Sequence, residues 1–374
     1  MLYDKKNHLL YFLTWICSFI VVLYHYVWFF NIYEYQANSF LNYIIINQEY
    51  GANFVWLYWC ISGYIFVSLL SENKIENFKN FFLKLFEKFY PLQLLTLIVI
   101  TTLQYVSIKL FGYTQKNFEF DFYHFVLHIF FISDWGFQQG FSFNAPVWFM
   151  SILIPIYIFS YFFKKIILQK RIIFPLSIIL ITYFFIPFFY NNFLSKILLF
   201  KEIQLQALFN FGQCLIYFNL GIFIFTITND YILTILRKKI FFIIFLNFFL
   251  IITSVYILNF EKDGFLKIIP STIILFTNII ILFSILDYLT LFSFRKLNSL
   301  SNTSYSIYLW HFPYQVFLLI IFEYNNIDLK KFNSIYMFFI YIFSLFLIGY
   351  LSYFVFEKPS KKLIFNLIKK RIKN

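Results

Sequence analysis

Apolar residues follow one another in ten long runs that are separated by short polar stretches. A helix needs about twenty apolar residues to cross the hydrocarbon layer of a membrane, and each run is close to that length. The runs are Leu9–Phe30, Ala52–Leu70, Pro91–Phe111, Val147–Phe163, Ile172–Tyr190, Ala207–Thr228, Ile240–Leu258, Ile268–Thr290, Ser304–Phe322 and Ile335–Phe356. The sequence therefore predicts an all-α fold, a polytopic transmembrane bundle of about ten helices.

One further apolar segment, His124–Ser133, is too short to cross a membrane. It lies inside the longest predicted loop, Gly112–Pro146. We expect it to form a re-entrant or interfacial piece.

The basic residues indicate how the bundle is oriented. An even number of crossings places both termini on one side, and most of the 30 Lys and Arg residues fall in the loops and tails of that side. Such a bias is typical of the cytoplasmic face. We therefore expect a multi-pass membrane protein with both termini in the cytoplasm. The basic tail, 357–374, is expected to lie on the anionic inner leaflet.

The composition supports a membrane protein and excludes a soluble one. Hydrophobic residues make up 61% of the chain and charged residues 13%, whereas soluble domains carry about 25% charged residues. The chain is expected to be a single integral membrane domain, 1–374. Its net charge of +13 is divided among short clusters between the runs, which favours contact with the lipid bilayer over nucleic acid. The three cysteines lie inside apolar runs, and their spacing predicts no metal site.

A polar stripe in the first run contains the leading candidate for chemistry. Residues 7 and 11 positions apart on a helix point within about 20° of one another, and Ser18 and Thr14 stand at these distances before His25. The stripe should face the bundle interior or a watery cavity, with His25 in the outer half. A neutral imidazole there could act as a general base, or it could hydrogen-bond a neighbouring helix for packing alone.

Three other polar residues have a structural interpretation as well as a functional one. His311 precedes Pro313 in the inner half of the ninth run, where it could satisfy the backbone carbonyl that the proline frees; this structural role is favoured. Lys84 and Lys88 lie one helical turn apart before the Tyr90-Pro91 pair. They could bind the phosphates of an anionic cofactor or simply anchor the inner face.

Several stretches taken together resemble membrane-bound acyltransferase family 3, the bacterial O-acyltransferases of surface sugars. The first resembles the opening helix of that family, which ends in a catalytic His, and the fourth resembles its Asn-x-Pro-x-Trp segment. The stretches are Thr14–Tyr26, Gly51–Tyr64, Phe82–Pro91, Phe143–Ser151, Ser304–Pro313 and Glu357–Pro359. Two positions depart from the family pattern: Thr14 replaces its usual Arg, and Leu153 replaces a frequent Glu.

The resemblance implies an O-acyltransferase, most simply an O-acetyltransferase, that uses acetyl-CoA and no metal. His25 would be the general base, and Lys84 and Lys88 would bind the phosphates of the acyl-CoA. The acceptor would be a hydroxyl of a cell-surface polysaccharide or its lipid-linked sugar precursor. Tyr24, Tyr26 and Trp148 are possible donors to the oxyanion. Residues expected to contact substrate or support the site are Thr14, Ser18, Tyr24, Ser62, Asn144, Trp148, Ser151 and His311.

Two other functions remain open at this point. A bundle with a polar stripe could transport lipid-linked sugar or another solute. The chain could also be a non-catalytic member of a polysaccharide assembly, because both departures from the family pattern remove charge.

Overall fold

A computed structural model describes residues 8–32, 51–72, 77–138, 140–192, 202–229, 244–255, 265–289 and 297–364. The helices are α1 (His8–Phe29), α2 (Gly51–Ser71), α3 (Phe78–Phe111), α4 (Phe122–Ile129), α5 (Trp148–Phe162), α6 (Lys164–Gln169), α7 (Ile173–Asn192), α8 (Glu202–Ile227), α9 (Ile244–Val255), α10 (Phe265–Leu289), α11 (Leu297–Tyr324) and α12 (Ile335–Ser352). Within these ranges the protein is helical and contains no β-strand, which confirms the predicted all-α membrane fold.

Each predicted apolar run coincides with a helix. Eight of the helices in the described ranges are long and apolar enough to cross a membrane, and the apolar parts of α7 and α9 are shorter. The cytoplasmic location of the termini stays a prediction, and 365–374 of the basic tail lie outside the described residues.

Two helices begin well before the predicted runs. Helix α3 starts at Phe78 and contains Pro91 in its interior, so Lys84 and Lys88 lie on a helix rather than in a loop. Helix α11 starts at Leu297 instead of Ser304. The apolar runs missed these first turns because the turns carry polar and charged residues.

The short segment in the long loop forms helix α4. Asp121 caps its N-terminus, where the carboxylate accepts the backbone N–H of His124. Phe122, Tyr123 and Phe130 are exposed, whereas Leu127 is buried. These exposed aromatic side chains support the interfacial alternative for this segment.

The chain divides into two compact units. Unit 1 contains Met1–Thr14, Val55–Phe78 and Leu153–Ser301. In it α2 packs closely on α8, because a Cβ atom on Gly63 would lie 1.9 Å from the carbonyl oxygen of Phe218. Glycine at this position lets the two backbones touch.

Unit 2 contains Trp15–Phe54, Lys79–Ile152 and Asn302–Asn374. Its core is strongly aromatic: the rings of Phe30 and Phe332 stack with centroids 3.8 Å apart, and Tyr26 donates its hydroxyl to the carbonyl of Phe332 at 2.7 Å. Most of the residues singled out in the sequence lie in this unit.

The cysteines lie in the interior, as expected from their positions inside apolar runs. Cys17, Cys60 and Cys214 are all free and buried.

Candidate active site

The centre of unit 2 holds two histidines side by side. The ring centroids of His25 on α1 and His311 on α11 lie 5.0 Å apart, with the ring planes tilted by 30°. His25 is partly exposed, whereas His311 is fully buried. The sequence placed these histidines in opposite halves of the membrane, and that prediction is wrong. It failed because α11 begins earlier than the apolar run that defined it.

Matching polar residues hold α1 and α11 in register. The hydroxyls of Ser18 and Ser304 lie 2.7 Å apart, and each serine is seven residues before the histidine of its own helix. The two helices therefore run side by side in the same direction, with a serine pair and then a histidine pair along their contact. Ser18 uses its hydroxyl to hold the helices together.

The ring of His311 has a defined tautomer. Its Nδ1 is hydrogen-bonded to the backbone carbonyl of Tyr308. Because a carbonyl can only accept, Nδ1 carries the hydrogen and Nε2 carries the lone pair. That Nε2 atom is buried and has no hydrogen-bond partner, and the same is true of Nδ1 of His25. Buried polar atoms are normally paired, so two unpaired nitrogens in neighbouring rings point to a functional site.

Pro313 explains how Asn144 reaches this site. A proline has no N–H for the carbonyl four residues earlier, here that of Leu309. The side-chain amide of Asn144 donates to this carbonyl at 3.2 Å and to the hydroxyl of Thr96 at 3.2 Å. The expectation that His311 satisfies the freed carbonyl is therefore wrong. Asn144 takes that role, and the hydroxyl of Tyr308 fixes the same segment by donating to the carbonyl of Pro146 at 2.7 Å.

Helix α3 contributes a buried amide that the sequence reasoning missed. Gln93 is 1% exposed, and neither its Oε1 nor its Nε2 has a hydrogen-bond partner. It lies one turn before Thr96, whose hydroxyl accepts from Asn144. The sequence did contain a signal for this residue, because an amide side chain inside an apolar run is costly in a spanning helix.

A basic cluster lies at the N-terminal end of α3, and we define it as Lys84, Lys88 and Lys361. Lys84 and Lys88 are exposed, and the Nζ atom of Lys88 lies 4.7 Å from the ring centroid of Phe89. Lys361 acts electrostatically on Lys88 and pairs with the buried carboxylate of Glu357. The cluster can bind anionic groups.

The basic cluster and the histidine pair occupy different levels of the same unit. The hydroxyl of Tyr305 donates to the carbonyl of Phe89 at 2.8 Å, which places the start of α3 beside the start of α11. Lys88 is eight residues before Thr96, or about 12 Å along the helix axis at 1.5 Å per residue. The cluster therefore lies about two turns from the level of the histidines.

Several other residues of the predicted site have structural partners. The Thr14 hydroxyl donates to the carbonyl of Tyr11 at 2.7 Å. Ser62 lies in unit 1, where it is buried and hydrogen-bonded to Tyr157. The hydroxyl of Ser151 donates to the carbonyl of Trp148 at 2.8 Å and accepts the backbone N–H of Asp134. These contacts assign Thr14, Ser62 and Ser151 to local structure.

Among the possible oxyanion donors, Tyr26 is excluded because it is buried and its hydroxyl is donated to Phe332. Tyr24 is partly exposed, with its ring centroid 5.1 Å from that of His25. Gly51 makes room for this ring, since a Cβ atom there would lie 2.5 Å from Cγ of Tyr24. Trp148 is also partly exposed. Tyr24 is therefore the candidate that lies beside His25.

Neither position that departs from the family pattern supplies a charge. Thr14 is a neutral residue whose hydroxyl donates to the carbonyl of Tyr11, and Leu153 is an apolar residue that is fully buried. Chemistry at His25 would have to proceed without the Arg and the Glu.

His128 on α4 forms a hydrogen bond with Ser142, and the direction of this hydrogen bond indicates a structural role. The hydroxyl of Ser142 donates to Oε1 of Gln138 at 2.7 Å, so the contact of 3.0 Å between Ser142 and His128 must use a hydrogen on Nε2 of the imidazole. His128 therefore donates to the serine and does not activate it. Burial lowers the pKa of His128 from 6.5 to about 3.

The lowered pKa of His128 predicts acid sensitivity of this loop. The folded protein favours the neutral ring, so its contribution to stability is complete above about pH 6.5 and is lost as the pH falls towards 3. We expect the midpoint of thermal unfolding to fall more steeply with acid in the wild type than in His128→Gln, whose amide can still donate to Ser142. Equal slopes for the two proteins in detergent would contradict this assignment.

Three side chains near α4 could in principle hold a cation. Ligand atoms of Glu119, Asp121 and His124 lie within 4.8 Å of one another. The carboxylate of Asp121 already accepts the backbone N–H of His124 and contacts its ring nitrogen at 2.8 Å, so this group is accounted for as a helix cap.

Comparison with known proteins finds a match to an enzyme family. A family model described as an acyltransferase domain matches residues 11–354, nearly the whole chain. It confirms the resemblance seen in the sequence. Searches among curated proteins and among solved structures found no match.

Proposed function

The chain belongs to acyltransferase family 3, and on this premise we propose that it transfers an acyl group from acyl-CoA to a hydroxyl of a cell-surface polysaccharide or its lipid-linked precursor. The acyl group proposed is acetyl, and the base is His25. The observation that carries the proposal is the pair of neighbouring imidazoles, each with one buried nitrogen that has no hydrogen-bond partner. A packing role alone would leave these atoms unsatisfied at a cost.

The donor is proposed to enter from the basic cluster. The phosphates of acetyl-CoA would lie against Lys84 and Lys88, whose side chains are exposed. The pantetheine arm would then follow α3 past Gln93 over the two turns to the level of Thr96. Pantetheine contains amide groups, and the unpaired Oε1 and Nε2 of Gln93 offer them an acceptor and a donor.

His25 is assigned the proton transfer because it is partly exposed, whereas His311 is fully buried. Its ring takes the proton of the sugar hydroxyl as the oxygen attacks the acyl carbon. When the tetrahedral intermediate collapses, the carbon–sulfur bond breaks and the ring returns the proton to the thiolate of CoA. The products are the acylated sugar and free CoA. General base catalysis of this kind contributes typically 10²–10⁴-fold.

His311 is proposed to position His25. Its own hydrogen is fixed on the carbonyl of Tyr308, so Nε2 can only accept. Once His25 has taken the proton, both of its ring nitrogens carry hydrogen. Nε2 of His311, in the adjacent ring, then has a lone pair that can accept one of these hydrogens. Tyr24, beside His25, is proposed as a donor to the oxyanion.

The test uses purified protein in lipid nanodiscs with isotope-labelled acetyl-CoA and the polysaccharide of cells that lack the gene. Transfer of label to the glycan, with release of free CoA, is the expected result. Mass spectrometry of the surface glycan with and without the gene identifies the acceptor by a loss of acetyl mass. Movement of lipid-linked sugar without its modification would instead establish transport. If neither transfer nor transport is observed, the non-catalytic role stands.

The unpaired amide of Gln93 gives a further prediction. Gln93→Met should leave the midpoint of thermal unfolding unchanged or higher, because it removes a buried amide without partners, while the KM for acetyl-CoA rises about tenfold. The matched control is Gln104→Met on the same helix. The Gln104 side chain accepts the backbone N–H of Gln115 at 2.9 Å, so its loss should destabilise by about 1–3 kcal/mol. A destabilised Gln93→Met with an unchanged KM would remove Gln93 from the donor path.

A further inference from the structure

A polar pocket lies at the C-terminal ends of α1 and α11, on the side of the histidine pair opposite the basic cluster. Its volume is about 470 Å³, within the range of about 300–1,000 Å³ that is usual for ligand sites. The polar side chains in its wall are those of Asn31, Tyr113, Gln115, Lys116, Glu323 and Asn326. All of the lining residues belong to unit 2.

The polar groups of the pocket are held in place by one another. One carboxylate oxygen of Glu323 accepts from Nε2 of Gln115 at 2.7 Å, and the other accepts from the hydroxyl of Tyr113. The ammonium of Lys116 donates to Oδ1 of Asn31 at 2.9 Å. Asn31, Lys116 and Asn326 all have positive φ, a conformation that is uncommon outside glycine and is often found at functional sites.

An aromatic side chain connects this pocket to the proposed base. The ring of Trp28 contacts the ring of His25 edge-on, with centroids 6.4 Å apart. The Nζ atom of Lys116 lies 5.6 Å from the centroid of the same indole and 5.3 Å from the centroid of the Phe29 ring. The pocket therefore begins about one helical turn beyond His25 along α1.

We propose that this pocket binds a saccharide unit of the acceptor and so presents a hydroxyl to His25. The inference rests on the proposed function. A sugar hydroxyl is both a donor and an acceptor, and the wall offers a carboxylate, an ammonium, amides and aromatic rings. A lipid chain would place hydrocarbon against the charged side chains of Lys116 and Glu323, which is unfavourable. Coenzyme A would require a cluster of cations, and the basic cluster with its three lysines lies at the other end of the unit.

The proposal assigns specificity to Lys116 and Glu323. In the acetyl-transfer assay, Lys116→Met and the milder Glu323→Gln should each raise the KM for the polysaccharide acceptor about tenfold or more, because each removes a charged hydrogen-bonding group from the wall. The KM for acetyl-CoA and the rate at saturating acceptor should stay at the wild-type value. Lys330→Met is the matched control, because Lys330 is exposed on a nearby turn and does not line the pocket.

A binding measurement separates failure of this inference from failure of the proposed function. Oligosaccharides released from the same polysaccharide are titrated calorimetrically into each protein without acetyl-CoA. If the wild type transfers acetyl and both variants keep the wild-type acceptor KM, the pocket assignment is overturned and the proposed function stands. If the wild type transfers nothing, the proposed function fails, and the titration alone decides whether the pocket binds saccharide. Weaker binding by both variants than by the wild type supports the pocket assignment. Unchanged or absent binding overturns it.

Discussion

His25→Gln is expected to reduce acetyl transfer by about 10²–10⁴-fold, the usual contribution of a general base. Glutamine places a polar nitrogen near the position of Nε2 of the imidazole, but an amide cannot take up a proton and return it. The substitution should cost little stability, because the buried Nδ1 of His25 makes no hydrogen bond that would be lost. The measurement is the rate of transfer from labelled acetyl-CoA, together with the amount of protein in the membrane.

His124→Gln is the control for this substitution. His124 belongs to the same unit, and its ring contacts Asp121 on α4 rather than His311. We expect this variant to keep most of the activity. A His25→Gln protein that retains more than about a tenth of the wild-type rate would show that the imidazole is not the base and would favour a packing role for the histidine pair.

The second large effect is expected at Asn144. Asn144→Ala removes the donor to the carbonyl of Leu309, and Pro313 prevents the helix from supplying another. An unsatisfied buried carbonyl costs about 1–3 kcal/mol. The same turn of α11 contains Tyr308, whose backbone carbonyl accepts the hydrogen of His311. We therefore also expect the catalytic rate to fall at least tenfold. Both effects are measurable, by thermal unfolding in detergent and by acetyl transfer.

A second-site substitution tests the physical reason. Pro313→Ala supplies the missing backbone N–H four residues after Leu309. We expect it to restore part of the stability and activity in the Asn144→Ala background, a coupling that a double-mutant cycle reports. No recovery in the double variant would contradict the assignment.

Asn278→Ala provides the comparison for Asn144. The Asn278 side chain donates to the carbonyl of Ile274 within its own helix. Since the backbone N–H of residue 278 also serves that carbonyl in a regular helix, its loss leaves no carbonyl unsatisfied. This variant should be destabilised much less than Asn144→Ala.

Five of the six family stretches lie largely in unit 2, where several of them contact one another. The segment that starts at Asn144 binds α11 beside His311. The hydroxyl of Ser306 donates to the buried carboxylate of Glu357, so the last two stretches also contact each other. Lys361 completes this contact and joins the basic cluster. The proposed donor end of the site is therefore built from three distant parts of the chain.

The sequence by itself determined the positions of the apolar helices and the membrane fold, and it placed Ser18 and His25 on one face of α1. These properties are local, because the thickness of the hydrocarbon layer sets the length of each apolar run and helical periodicity sets the face on which Ser18 and His25 lie. Membership of the family was also readable, since its motifs are short contiguous stretches.

Only the tertiary structure decided which groups meet at the site. His311 was read from its own neighbours as a support for Pro313, yet it lies against His25 from the other end of the chain, and Asn144 satisfies the carbonyl that the proline frees. The unpaired state of Gln93 and the pocket around Lys116 and Glu323 were equally invisible. The physical reason is that hydrogen-bond partners are set by packing between distant helices, and the local pattern of apolar and polar residues does not specify which helices become neighbours.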